Sequence, residues 1–381
     1  RRAPGGGRGA RARGPGGKGA GMAVMGPAGG RGGGRGLFAG RPLRAGEVAL
    51  QEMPLLAWPV EAFAGVCCAG CLRLCALGTA VACPGGCGAA VFCSETCWLN
   101  SGGHDKLHHP PGVCRGLKML RESAASVEER DAARFLLLAY NAKLYHSAAF
   151  QQLWGLVAAG QHAQQVRLQS LVELVHAALG PQATASVGEA TALLARDGAN
   201  GFAIMGPRKE DGERQARGFA IYPALAMTNH ECLPNCVRYD DFDGTDRTGL
   251  FPHSQAPPNN MLLQLRTLHA LPQGEELLLG YFPLDWDLEE RRERLAQDYG
   301  FECTCGRCRL EASWESNEPV TGAVGGSEVT EDYLGAFCLK HICPDDDCGG
   351  TMGPLDGSDV CACNCCGLCR SEAEFQASLN E

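Results

Sequence analysis

The run Asn229-His230-Glu231-Cys232-Leu233-Pro234-Asn235-Cys236 is followed about 70 residues on by Cys303-Thr304-Cys305-Gly306-Arg307-Cys308. Three cysteines spaced C-x-C-x2-C are one ligand short, because structural zinc is tetrahedral and takes four. Cys232 supplies the fourth ligand if a metal ties the distal segment to the Asn-His loop. Such a clamp builds a pocket wall from two distant pieces of chain. That is a way to make a site as well as to hold a fold together.

The other cysteines follow the same logic. The 22 of them fall in four groups (67–114, 232–236, 303–308 and 338–369), with none between 115 and 231. The first group holds Cys68-x2-Cys71, Cys83-x3-Cys87, Cys93-x3-Cys97 and His109-x4-Cys114, with His108 and His104 as alternatives to His109. Eight ligands make two tetrahedral sites, which a segment with little apolar core of its own needs in order to fold. At the end of the chain, Cys343-x4-Cys348 and Cys363-x2-Cys366, each followed by glycine, resemble the two knuckles of a zinc ribbon. Cys361, Cys365 and Cys369 offer alternative pairings there. Closed four-ligand sites leave zinc no position for water, so these metals are structural rather than catalytic. Paired C-x2-C and C-x-C spacings with histidine read as zinc in a reducing nucleus or cytoplasm; a disulfide framework is the competing reading.

Several elements must position these groups. Residues 37–66 read as short strands, at Leu37-Phe38 and Glu47–Glu52, punctuated by Gly and Pro. From 115 to 198 the pattern turns helical: Ala133–Tyr140 is one apolar stretch, and Leu168, Leu171, Val172, Leu174, Val175, Ala178 and Leu179 recur at helical steps. Strand-like segments return at Phe202–Ile204, Phe219–Tyr222, Met261–Leu265 and Glu276–Tyr281. Leu288–Gln297 reads as a short charged helix, 311–330 as a polar linker, and Glu275-Glu276 as a solvated turn.

With the metal pattern in place, Gly34-Arg35-Gly36, Asn200-x-Phe202, Asn229-His230 and Gly274-Glu275-Glu276-Leu277-x3-Tyr281 occur in an order that resembles the SET domain of protein-lysine methyltransferases. The interrupting first cysteine group resembles the MYND zinc finger. Together they resemble the SET-and-MYND (SMYD-type) family, in particular its shorter plant members, over roughly 34–308. The longer animal members carry a C-terminal helical repeat domain, for which this chain has no room. The resemblance implies a mostly β SET fold of small sheets with a pseudoknot. Its parts would be a disordered Gly/Arg arm (1–33), the SET N-terminal part (34–66), the MYND finger (67–114), a helical insertion (115–199), the SET C-terminal part (200–285), a zinc-binding post-SET segment (286–310), a linker (311–336) and a zinc-ribbon-like unit (337–381).

The same resemblance implies transfer of a methyl group from S-adenosylmethionine to a lysine of a histone or other basic protein. Tyr281 and Tyr299 would be the catalytic pair, with Tyr299 and Phe202 lining the lysine channel. Gly34, Arg35, Gly36, Asn200, Asn229, His230 and Phe301 would hold the cofactor. By the MYND likeness, Cys68, Cys71, Cys93 and Cys97 bind one zinc, and Cys83, Cys87, His109 and Cys114 the other. Two family positions differ: Glu231 stands where serine follows Asn-His, and Ala226 replaces an upstream serine.

Bulk properties fit a protein substrate better than nucleic acid. Ten arginines and lysines and no acid precede Glu47, leaving −19 on the remainder of a chain whose net charge is −9. An acidic body repels DNA phosphate and suits a basic peptide. The Gly/Arg-rich arm reads as disordered, with Met22 as a candidate initiator and no apolar signal region in residues 1–36. No run approaches the ~18 apolar residues of a membrane span. A different class of function, an inactive zinc-rich scaffold whose MYND finger docks proline-rich peptides, would need the cysteines but not Tyr281.

Overall fold

The computed structural model describes residues 23–28, 34–76, 78–102, 106–159, 167–208, 214–244, 259–316 and 329–378. Ala23–Pro27 (β1) pairs antiparallel with Arg35–Ala39 (β2), setting Met25 opposite Leu37. The arm expected to lack structure through residue 33 therefore contains a strand, which β2 templates through its free edge. Residues 1–22 and 29–33 of that arm lie outside the described residues.

Val48–Glu52 (β3) and Leu56–Pro59 (β4) follow, and then the cysteine-rich segment. Among its described residues before Pro111, that segment contains a two-residue hairpin, Val81–Ala82 (β5) with Val91–Phe92 (β6), and the short helix Glu95–Ser101 (α1), capped by the Ser94 side chain. So little regular structure needs metal to fix its conformation.

The helical region comprises Pro111–Glu122 (α2), Val127–Tyr145 (α3), Ser147–Trp154 (α4), Leu168–Leu179 (α5) and Val187–Asn200 (α6). A capping box between Ser126 and Glu129 starts α3, and every residue from Ala133 to Ala142 is buried, as expected for a helix enclosed on all sides. In α5 the periodic apolar face buries Leu171, Val172, Val175, Ala178 and Leu179, while Leu168 and Leu174 pack at its margin.

Gly201–Arg208 (β7) and Arg214–Ile221 (β8) form a three-stranded sheet with β4, in the order β4-β8-β7. Asn229–His230 (β9), Cys236–Tyr239 (β10), Leu263–Thr267 (β11) and Leu278–Leu279 (β12) form a second sheet with β3, in the order β3-β11-β10-β12-β9. Within it, β12 slots between two earlier strands and runs parallel to both, pairing Leu278 with Asn229 and Leu279 with His230 and Cys236. Asn235 pins this insertion: its Oδ1 accepts from Leu278 N at 2.8 Å and its Nδ2 donates to Glu276 O at 2.7 Å.

Leu288–Arg294 (α7), one widened turn over Leu295–Tyr299, and Gly306–Ser316 (α8) complete the region after the sheets. Glu331–His341 (α9), the small sheet Met352–Pro354 (β13), Val360–Cys363 (β14) and Cys369–Ser371 (β15), and Glu372–Ser378 (α10) close the chain. Residues 311–316 and 331–336, expected as linker, are helical, and Glu311 is 9% exposed because Arg291 and Arg307 both pair with it. Among the described residues, no helix is long and apolar enough to cross a membrane.

Candidate functional site: four thiolate clusters and an aromatic cleft

Four groups of side chains could each hold a metal ion: Cys68, Cys71, Cys93 and Cys97; Cys83, Cys87, His109 and Cys114; Cys232, Cys303, Cys305 and Cys308; and Cys343, Cys348, Cys363 and Cys366. Their ligand atoms lie within 4.8 Å of one another in each group. A tetrahedron with zinc–sulfur bonds of about 2.3 Å has edges of about 3.8 Å. The measured Sγ···Sγ separations are 3.5 Å for Cys68–Cys97, 3.7 Å for Cys71–Cys93, 3.6 Å for Cys83–Cys114, 3.5 Å for Cys232–Cys308, 3.9 Å for Cys232–Cys303, 3.7 Å for Cys343–Cys366 and 3.6 Å for Cys348–Cys363. These distances fit thiolates around tetrahedral zinc and are far longer than the roughly 2 Å of a disulfide. His109 Nε2 lies 3.1 Å from Cys83 Sγ; the ring of His108 is not part of that group, and His104 lies outside the described residues.

The third cluster is bound to the aromatic site through one imidazole. His230, 3% exposed, accepts the Tyr281 backbone N–H on Nδ1 at 3.3 Å. Its Nε2 therefore carries the proton, and it faces Cys232 Sγ at 3.2 Å. Both ring nitrogens are thus turned into the protein. His230 thereby braces Tyr281 against the thiolate cluster. Behind the cluster, Arg291 is fully buried and pairs with Glu311, which also accepts from Arg307 at 2.7 Å. Arg291 Nη2 reaches to 3.9 Å from Cys308 Sγ, so a cation offsets the surplus negative charge of four thiolates. The charged helix 288–297 gave no sign of this role, because a buried arginine looks like any other in sequence.

The Tyr281 hydroxyl donates to Thr228 O at 2.9 Å, and its ring packs 4.7 Å from that of Tyr299. Tyr299 sits in the widened turn, where burial pushes its phenol pKa up. Gly300 follows at φ +70, the left-handed region that glycine enters without strain, and turns Phe301 back to within 6.3 Å of the His230 ring. Phe301 remains 40% exposed, an uncovered aromatic face. Tyr281, Tyr299, Thr228, Asn200 and Phe202 line one cavity of about 1250 Å³. There Phe202 stands edge-on to the buried Tyr222, with the Arg238 guanidinium 5.7 Å above it. The Asn200 amide donates to Val157 O and Arg196 O at 2.7 Å, fastening the helical insertion to this wall.

The remaining expected cofactor residues form a separate group that does not line this cavity. Asn229 Nδ2 donates to Arg35 O at 3.1 Å and Glu276 Oε1 at 2.7 Å. Arg35 itself donates to Gly155 O at 2.7 Å. A Cβ on Gly36 would lie 2.5 Å from Glu276 Oε1, so only glycine leaves this carboxylate its place. A Cβ on Gly34 would meet nothing within 4 Å, leaving open space beside the backbone. Glu276 is therefore an anchor for the Asn229 loop rather than part of a solvated turn.

No protein-family model matches the chain. It is 31% identical over 408 residues to histone-lysine N-methyltransferase ASHR2 of Arabidopsis thaliana, an alignment covering 91% of this chain and 95% of that one. The chain belongs to the SET-and-MYND family of lysine methyltransferases. Human histone-lysine N-methyltransferase SMYD3 is 29% identical over 294 residues, 73% of this chain and 60% of that protein. Mouse histone-lysine N-methyltransferase Smyd1 is 34% identical over 110 residues, 29% of this chain and 21% of its own length. The small sheets, the helical insertion and the cysteine clusters are those of a SET-and-MYND fold.

Proposed function

We propose that the chain is a SET-type, S-adenosylmethionine-dependent protein-lysine N-methyltransferase acting on a histone or another basic protein. The supporting observation is the way Tyr281 is held: its hydroxyl by Thr228 O, its backbone by His230 and its ring by Tyr299. On this reading, 34–66 and 200–285 are the two halves of the SET domain, interrupted by the finger (67–114) and the insertion (115–199), with 286–310 as the post-SET segment. Four zinc ions complete the protein: two in the finger, one joining Cys232 to Cys303–Cys308, and one in the C-terminal unit. The finger is also the surface we propose for proline-rich peptides, and the protein would work in the nucleus or cytoplasm.

S-adenosylmethionine supplies an electrophilic methyl group on a sulfonium. Open backbone at Gly34, the exposed ring of Phe301 and the Asn229–Glu276 loop are the residues that would hold it. The protein's own task is the lysine. With a pKa near 10.4, exposing the amine lone pair at pH 7 costs roughly 4–5 kcal/mol. An aromatic passage between Phe202, Tyr281 and Tyr299 strips water from the ammonium, which lowers that pKa, while the ring faces favour the approaching cation. The Tyr281 hydroxyl, its proton engaged with Thr228 O, presents a lone pair that orients the amine for in-line attack.

The test is equilibrium binding of S-adenosylmethionine to zinc-replete protein, followed by labelled methyl transfer to core histones. Binding and lysine labelling are expected. Absence of binding would leave the zinc-scaffold reading in its place.

A further inference from the structure

The cavity containing Tyr281 and Tyr299 has a second wall, contributed by the C-terminal unit. Asp345, Asp346, Asp347, Gly349, Asn364 and Cys365 line it together with the SET residues. The unit is seated firmly on β10. The Tyr239 hydroxyl, 2% exposed, is shared between Ala362 O at 2.7 Å and Gly353 O at 3.2 Å, and Asn364 Nδ2 donates to Arg238 O at 3.1 Å. Val237, Tyr239, Leu268, Leu284 and Phe337 form a small apolar core at this junction. Arg208–Asp345 at 3.3 Å and Arg44–Asp356 at 3.0 Å hold its margins.

Charge in the cavity is lopsided. Eleven acidic side chains and five arginines line it. Three of the arginines are paired: Arg208 with Asp345, Arg217 with Asp243 and Arg294 with Asp298. Asp346 and Asp347 are exposed and make no ion pair among the described residues. An independent observation also indicates a ligand in this cavity. The Thr228 hydroxyl, on a residue that lines it at 2% exposure, has no hydrogen-bond partner among the described residues. A buried hydroxyl left unpaired is costly, and a substrate polar group entering past Tyr281 would satisfy it.

We propose that the Cys343–Cys366 unit is the substrate-docking element, in which Asp346 and Asp347 bind lysine or arginine side chains flanking the target lysine. This rests on the lysine-methyltransferase reading and specifies its substrate: a protein segment with several positive charges, lying between β10 and the C-terminal knuckle. The unit contributes binding and no chemistry, so its effect falls on KM and on salt dependence.

The experiment uses the full-length zinc-replete protein and the double variant Asp346→Asn/Asp347→Asn, which preserves shape and touches no thiolate. The probes are a synthetic peptide with a central lysine flanked by arginines and the same peptide with glutamines in their place. Both are followed by methyl transfer and by fluorescence anisotropy. In the variant, KM for the arginine peptide should rise about three- to tenfold at low salt, as expected for two exposed ion pairs. The glutamine peptide should respond equally in both proteins, and kcat, zinc content and cofactor affinity should stay unchanged. The arginine-peptide difference should vanish at high salt. Methylation with unchanged KM, or an equal rise for both peptides, overturns the docking assignment and leaves the enzyme reading intact. Charge-selective peptide binding that the variant abolishes, without any methyl transfer, refutes the enzyme reading and keeps the docking surface.

Discussion

Cys232→Ser tests the coupling between metal and active site most directly. Cys232 Sγ lies 3.5 Å from Cys308 Sγ and 3.9 Å from Cys303 Sγ, and it faces His230 Nε2 at 3.2 Å. Structural zinc contributes about 10–16 kcal/mol to folding in small metal-dependent domains. An equal share per ligand assigns about 3–4 kcal/mol to one thiolate, or roughly two to three orders of magnitude in metal affinity. The variant also replaces the thiolate facing a buried imidazole N–H with a neutral hydroxyl, which weakens a charge-assisted hydrogen bond by about a further 1 kcal/mol. The sum approaches the lower end of the total stability of an ordinary domain, about 5–15 kcal/mol, so the segment from 286 to 310 should detach under mild conditions. Metal analysis should read about one zinc fewer per chain, with faster loss to a chelator. Proteolysis should cut near Tyr299, and S-adenosylmethionine binding should weaken as Phe301 leaves the site. Cys75→Ser, at a half-buried thiol outside all four clusters, serves as the control. Full zinc content with wild-type release kinetics in Cys232→Ser would refute the clamp.

Tyr281→Phe removes one hydrogen bond to Thr228 O, so stability should fall by only about 0.5–1.5 kcal/mol. Turnover should drop roughly a hundredfold or more, as for other preorganised polar groups at reacting centres, with cofactor affinity retained; steady-state rates near wild type would exclude the role. His109→Ala should release a zinc from the finger and His108→Ala should not, and metal stoichiometry separates the two directly. Gly36→Ala forces Glu276 from its place beside Asn229, so the cofactor Kd should rise about tenfold, for roughly 1.4 kcal/mol lost. Calorimetric titration giving the wild-type Kd would place the cofactor elsewhere.

The metal clusters were the most legible part of this chain. A ligand set has a fixed number, type and short spacing, so sequence alone carries most of it. Even the bond from Cys232 to a segment 71 residues away could be anticipated, because three cysteines demand a fourth. Helix positions were also readable, since α3 and α5 repeat their apolar residues at helical steps. What escaped notice depends on where polar side chains point. Glu276 looks solvated in sequence yet accepts from Asn229, and Glu311 looks like linker yet lies buried between two arginines. His230 is the subtlest case: the residue stood out, but its two nitrogens face a backbone amide and a thiolate. Strand β1 was hidden by composition, because a short Ala-Val-Met-Gly-Pro edge has too little periodicity to rise above its glycine-rich surroundings.

The threading of the central sheet also orders events during synthesis. Each ligand of the finger lies between residues 68 and 114, so both its metals can be captured while most of the chain is still unmade. By contrast, β3 waits for β11 more than 200 residues later, and β9 and β10 wait for β12 to enter between them. Contacts so distant along the chain form late. Cys232 must then remain a reduced, unligated thiol until Cys308 has emerged. Through that interval the newborn chain carries a lone metal ligand, which leaves Cys232 open to oxidation and misligation until zinc joins it to the distal cysteines.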